Sequence, residues 1–248
     1  MSIDSDDELQ GLMAIGRIVG LTLQHMRTAI RPGITTGELD EIGTLFMAKH
    51  LARPAPPLVY KYPRATCISV NDEVAHGIPG KRVIRAGDLV NIDVSAELDG
   101  FFADTGASFP VPPVSDESRF LCERTQDALY AAINAVRAGE RLNAIGRAVE
   151  SVSNRAGLTI IRQLQGHGVG RALHEEPRNI PSYFSRGARE RMTDGMVLTI
   201  EPFLTTGRGR IYKARDGWTL KTSDGRRAAQ FEHTVVITKG KPILVTAV

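Results

Sequence analysis

Cysteine is nearly absent from this chain of 248 residues, with Cys67 and Cys122 its only two. Two thiols are too few for a disulfide framework or a cysteine-rich zinc site, and a buried, unpaired thiol is expected at each. Long apolar runs are missing too. No stretch reaches the roughly 18 consecutive apolar residues that span a bilayer, and the opening Asp4-Ser5-Asp6-Asp7-Glu8 is acidic where a signal peptide would be basic and then apolar. A cytoplasmic protein without a membrane partner is expected. Nor does one sign of charge dominate: 31 basic against 28 acidic residues leave a formal +3. The pI is near 9.0, yet the basic residues are scattered apart from small groups such as Arg208 with Arg210 and Arg226-Arg227. Specific nucleic-acid binding is not expected from that pattern. No linker or low-complexity segment divides the chain, and its 42% hydrophobic content can bury a substantial core. The expectation is one domain over residues 1–248, with lobes at about 7–110 and 114–248.

What is present centres on Leu89 to Phe109. Leu89, Val90, Ile92 and Val94 have strand character, Asp99-Gly100 is a two-residue hairpin turn, and Phe101-Phe102 begins the return strand. Counting outward, 98 pairs with 101, 96 with 103 and 93 with 106, which sets Asp104 opposite Glu97 or Ala96. Asp93 and Asp104 then reach one point if a bulge or twist aligns their faces. Two carboxylates held together in a buried sheet repel unless one is protonated or a cation lies between them.

The rest of the chain reads as helices and short strands. Asp7 to Ile30 is an amphipathic helix stopped by Arg31-Pro32-Gly33, and a second helix runs from about Thr36 toward Pro54. Pro54, Pro56, Pro57 and Pro63 predict a rigid loop, with Tyr60 and Tyr62 as contact residues. Short strands around Cys67–Val70 and Val74–His76 lead into the hairpin. Phe120 to Val136 and Leu142 to Ala156 are helical again. This second helix pair mirrors the first: Ala29-Ile30-Arg31-Pro32-Gly33 aligns with Ala135-Val136-Arg137-Ala138-Gly139, and Gly87 to Asp93 aligns with Gly195 to Glu201. If the chain is two copies of a helix-helix-sheet unit, Glu201 is the counterpart of Asp93, and both carboxylates come to a central seam.

Other ionisable groups sit in apolar or glycine-flanked settings: His76 before Gly77, His167 between Gly166 and Gly168, His174 before Glu175, and Glu232 ahead of the β-branched run Thr234 to Ile237. Glycines beside His167 allow close backbone approach, and Glu232 reads as a strand-interior residue. Asp93, Asp104, His167, Glu201 and Glu232 together supply four carboxylates and one imidazole. Such an oxygen-rich set suits two divalent ions of intermediate hardness, manganese, iron, cobalt or zinc, and the chemistry that uses a bridged pair is hydrolysis.

In order, spacing and flanking residues (NIDV, ADTG, GHGVG, TIEP, FEHT), these five residues resemble the ligand set of the methionine aminopeptidases. The resemblance runs from about Asp7 to Val245. It implies an α+β pita-bread fold: two pseudo-two-fold-related helix-helix-sheet lobes around a central curved antiparallel sheet. The short connection between His167 and Glu232 lacks room for the helical insertion of the type II enzymes, and no zinc-finger extension precedes Asp7. The chain therefore looks like a minimal, bacterial-style type I member.

By that resemblance Asp104 and Glu232 bridge two metals, Asp93 completes one site, and His167 with Glu201 completes the other. Metal-hydroxide attack on the first peptide bond would release the initiator methionine from nascent proteins and peptides. The free amino group would sit by the metal of the Asp93 site. His174 would hydrogen-bond the carbonyl or its oxyanion, His76 would contact the scissile nitrogen or the next residue, and Glu201 would help move the proton. The slot for the first side chain departs from the family. Pro56 and Val59 stand where a cysteine and a tyrosine are common, Leu164-Gln165 where aromatic-Cys precedes Gly-His-Gly, and Leu173 where a phenylalanine precedes the second histidine. Tyr62 and Cys67 are retained, and Val59, Tyr62, Leu164 and Trp218 would form an apolar slot. Nascent chains, a transient ribosome contact and a monomeric state are the implied partners and assembly. Two alternatives stay open: a paralogue with altered N-terminal specificity, and a non-catalytic peptide- or ribosome-binding protein.

Overall fold

In the computed structural model, which describes residues 2–248, five helices back a set of antiparallel sheets. Helix α1 (Asp6–Ala29) starts where the Ser5 hydroxyl accepts from the Glu8 amide, and its acidic first turn complements the helix dipole. Helix α2 (Thr36–Lys49) is closed by a capping box between Thr35 and Glu38. It ends before Pro54, and the proline-rich stretch contains a short helix, α3 (Ala55–Tyr60), in place of the expected loop. Prolines at the first turn of a helix forfeit no hydrogen bond, so Pro56-Pro57 start α3 rather than preventing it. Helix α4 (Asp116–Ala135) begins earlier than Phe120 because Ser115 caps it, and α5 (Asn143–Ala156) ends at Gly157 in a left-handed C-cap.

The hairpin pairs strand Leu89–Leu98 with Phe101–Pro110 in unbroken register. Asp104 lies opposite Ser95, not Glu97 or Ala96. The alternation of a strand then settles the faces. Residues 93, 95, 104 and 106 share one side, so Asp93 and Asp104 are diagonal neighbours with no bulge between them. On the other side Val90, Ile92, Val94 and Ala96 are buried against Leu12, Ile15 and Val19 of α1. Each buried valine, leucine or isoleucine contributes about 1.5–3 kcal/mol by leaving water. The second half repeats the arrangement. Leu198 and Ile200 of strand Val197–Ile200 join a core with Leu121 and Leu129 of α4 and Ile145 and Val149 of α5, leaving Thr199 buried on the opposite face of the strand.

A polar seam joins the halves. Thr234 Oγ1 accepts from the Asp104 amide at 3.0 Å and donates to the Asp104 carbonyl at 2.8 Å, Thr105 Oγ1 donates to the Glu232 carbonyl at 2.7 Å, and the Glu232 amide donates to the Gly106 carbonyl at 2.8 Å. Glu232 itself lies between strands Ala228–Gln230 and His233–Val236, not inside one. The break turns its carboxylate out of the regular alternation and toward the seam. No helix among the described residues is long and apolar enough to cross a membrane.

Candidate metal centre

Five side chains converge where the hairpin meets the second half, and each is held by its own local geometry. One ligand atom each of Asp104, His167 and Glu232 lies within 4.8 Å of the others, and all three residues are buried. His167 Nε2 stands 3.9 Å from Asp104 Oδ2 and 3.6 Å from Glu201 Oε1. Asp93 and Asp104 are in mutual hydrogen-bond reach. Of the remaining sequence-derived residues, His76 and His174 border this cleft together with Leu164, Gln165, Arg178 and Phe203.

Backbone and neighbouring side chains fix the imidazole. A Cβ added at Gly166 would come within 2.4 Å of the Thr199 carbonyl, and one at Gly168 within 2.4 Å of the Glu176 carbonyl, so the flanking strands sit against bare backbone. The ring Nδ1 of His167 donates to the Gly168 carbonyl at 3.0 Å, which leaves Nε2 as the lone-pair nitrogen facing the carboxylates. Thr199 Oγ1 accepts from the His167 amide at 3.0 Å and donates to Glu201 Oε1 at 2.9 Å. Gln230 Nε2 donates to Glu232 Oε2 at 2.8 Å while Asn91 Nδ2 donates to Gln230 Oε1 at 2.8 Å. Thr199 opens the motif that supplies Glu201 and Gln230 immediately precedes the one that supplies Glu232, but nothing in a linear motif marks a supporting side chain. His76 adopts a left-handed backbone with φ +55°, uncommon outside glycine and a mark of imposed geometry.

The electrostatics of this cluster are those of too many buried acids. Burial, then the charges of Asp93 and Glu201, push the Asp104 carboxyl well above the usual carboxylate range. Glu232 and Glu201 are raised in the same way, and burial pushes Asp93 up to about 6. Burial, with His174 adding to it, brings His167 down to about 3, so its imidazole is neutral. Asp104 Oδ1 and Glu232 Oε1 are buried without a hydrogen-bond partner. Orphaned carboxylate oxygens beside a neutral imidazole lone pair form a donor set that a divalent cation satisfies and protein hydrogen bonds do not. The residues present therefore fit a metal.

Beside the cleft lies a slot of about 260 Å³ lined by Pro56, Tyr60, Tyr62, Cys67, His76, Asp93, Ser95, Asp104, Leu173, His174 and Trp218. Tyr62 donates to the Gly77 carbonyl at 2.7 Å and meets the Trp218 ring edge-on at 5.2 Å. Cys67 pairs with Asp93 across neighbouring strands, and its thiol is unpaired and buried, as is that of Cys122. Val59 is 41% exposed and outside the lining, and Leu164 borders the metal side. Tyr60, beside Val59, reaches inward to His174, a pairing that a proline-rich stretch gives no linear sign of.

Comparison with known proteins agrees with this geometry. The family model of metallopeptidase family M24 matches residues 10–239. A methionine aminopeptidase 2 of Bacillus subtilis (strain 168) is 45% identical over 247 residues, covering 99% of both chains. A methionine aminopeptidase of Staphylococcus epidermidis is 43% identical over 100% of this chain and 99% of its own length. The crystal structure of methionine aminopeptidase from Thermotoga maritima superposes with a TM-score of 0.96 at 34% identity, with 100% of both chains covered. The pita-bread architecture is thus the fold.

Proposed function

The chain belongs to metallopeptidase family M24, and on that premise we propose that it removes methionine from the N-termini of nascent proteins and peptides with two divalent ions held in the cleft. The observation that carries this reading is the pair of orphaned carboxylate oxygens on Asp104 and Glu232, buried among groups that resist ionising together. Asp93, Asp104, His167, Glu201 and Glu232 would hold the ions. When bound, the ions supply Lewis-acid polarisation of the carbonyl and a water acidic enough to attack it at neutral pH.

The chain's own residues do the rest. The slot between Tyr62, Cys67, Leu173 and Trp218 takes the methionine side chain by apolar contact, and its position against the cleft puts the first peptide bond beside the carboxylates. His174 donates to the carbonyl oxygen and stabilises the negative charge that grows there. His76 contacts the scissile nitrogen or the residue after it, and Glu201, bonded to Thr199, takes up and hands on the proton. The chain is one domain, acts in the cytoplasm as a monomer and meets nascent chains with at most a transient ribosome contact.

The test is cleavage of a panel of Xaa-Gly-Met tripeptides by chelator-treated protein reloaded with manganese, cobalt, iron or zinc, with metal content counted by mass spectrometry. Methionine release only, only with metal and with two ions per chain, is the expected result. Release of other residues would identify a paralogue of altered specificity, a reading favoured by Pro56 and Leu173 in the slot lining. No release with any metal would leave a binding protein.

A further inference from the structure

Tyr60 ends α3 at the rim of the slot, and its hydroxyl lies 2.6 Å from Nδ1 of His174. The two rings meet edge to face, with centroids 5.5 Å apart at 71°. On its other side His174 stacks on His167 at 3.8 Å and 28°. The imidazole is thus held between a hydroxyl and a stacked ring where the slot meets the cleft. A phenol keeps its proton at neutral pH and is the natural donor, while Nδ1 of a neutral imidazole accepts only if the ring proton is on Nε2. That nitrogen has no hydrogen-bond partner among the described residues.

We propose that Tyr60 is a positioning residue for the cleavage reaction: its hydroxyl holds His174 in the tautomer whose free Nε2–H is presented to the substrate carbonyl. This rests on the role given above to His174. Without Tyr60 the ring would exchange between tautomers and the competent one would be populated only in part, which lowers turnover rather than binding. Because Tyr60 is 43% exposed, removal of its hydroxyl leaves the core intact. The sequence offers Tyr60 only as a contact residue, and its action through His174 follows from the fold.

Two measurements test this. In metal-free protein labelled with 15N-histidine, long-range proton–nitrogen spectra should show His174 protonated at Nε2 in the wild type and a mixture in Tyr60→Phe; a wild-type ring protonated at Nδ1 would overturn the proposal. In the metal-loaded enzyme, Tyr60→Phe should lower kcat about 10-fold on Met-Gly-Met while KM stays within about twofold. Adding Tyr60→Phe to His174→Ala should slow turnover no further than His174→Ala alone, since the hydroxyl would have no ring to hold. Independent losses from the two substitutions, or an unchanged kcat in Tyr60→Phe, would refute the positioning role and leave that of His174 standing. Wild-type turnover in His174→Ala would instead remove the reading on which it is built.

Discussion

The two halves of the molecule solve the same backbone problem with different side chains. Gly33 and Gly139 have φ of +96° and +92°, and Gly87 and Gly195 are both at +82°. Thr35 bridges to Val83 in the first half as Arg141 bridges to Arg191 in the second. The Gly33 amide donates to the Ile84 carbonyl at 2.9 Å, and the Gly139 amide to that of Met192 at 2.8 Å. The halves part after these shared turns. The first runs on through a ten-residue strand into its hairpin, whereas the strand of the second is four residues long and resumes beyond Pro202 as Phe203–Thr205. The common frame aims Asp93 and Glu201 at one seam, where Asp104, His167 and Glu232 meet them.

The largest expected effect sets these counterpart carboxylates against each other. Burial raises both Asp93 and Glu201, so the folded protein retains protons that the unfolded chain has released. Stability conferred by such groups is present at low pH and lost as pH rises through their folded-state values. The buried histidines act oppositely, but only below their ordinary pKa near 6.5. From pH 6.5 to 8.5 the chelated protein should therefore lose stability, and a divalent ion should restore it. Asp93→Asn and Glu201→Gln should each stabilise the chelated protein at the upper end by on the order of 1–3 kcal/mol, while abolishing cleavage, but only Glu201→Gln should flatten the dependence, because Asp93 is raised only to about 6 and is already ionised through most of that range. Calorimetry across that range checks this, and stabilisation by only one substitution would break the equivalence of the halves.

A smaller effect separates the paired glycines. Left-handed backbone disfavours any Cβ at both, at a cost of about 1–2 kcal/mol. The surroundings differ: a Cβ at Gly87 would meet nothing closer than the Pro113 carbonyl oxygen at 3.8 Å, whereas one at Gly195 would lie 2.4 Å from the Ile3 carbonyl oxygen. The Ile3 amide also donates to the Gly195 carbonyl at 2.8 Å. In urea unfolding, Gly87→Ala should lose only the strain energy and Gly195→Ala about 3 kcal/mol. Equal losses would mean that the segment around Ile3 does not press on this turn.

Much of this frame is legible in the sequence because it rests on short-range rules. Asp99-Gly100 dictates a hairpin, apolar spacing marks α1, α2, α4 and α5, and the repeated glycines reveal the two copies. The Asp93–Asp104 alignment follows from period-two alternation once the pairing is counted through to Ser95. Glu232 is harder, since the β-branched run after it looks like a continuous strand and only the seam bonds to Thr105 and Gly106 show the break. Tyr60 and His174 are 114 positions apart, and their bond depends on α3, which forms in a stretch whose prolines suggest loop. Long-range pairs through loops have no periodicity to betray them.

The smallest effect lies where the first half uses a side chain and the second does not. At the start of α2, Thr35 Oγ1 accepts from the Glu38 amide at 3.1 Å and Glu38 Oε2 accepts from the Thr35 amide at 2.8 Å. Helix α5 has no side-chain cap; the Leu142 and Asn143 amides instead donate to the Glu190 and Ala188 carbonyls at 2.9 and 3.1 Å. Thr35→Ala should therefore cost about 1 kcal/mol in urea unfolding. Arg141→Ala, at the matching bridge position, should stay within about 0.5 kcal/mol of wild type, and neither should alter cleavage. A comparable loss in Arg141→Ala would show that its side chain supports α5 where the backbone bonds are taken to suffice. No loss in Thr35→Ala would show the reverse for α2, whose Gly37 amide, bonded to the Gly80 carbonyl at 2.8 Å, would then anchor that turn through the backbone as well.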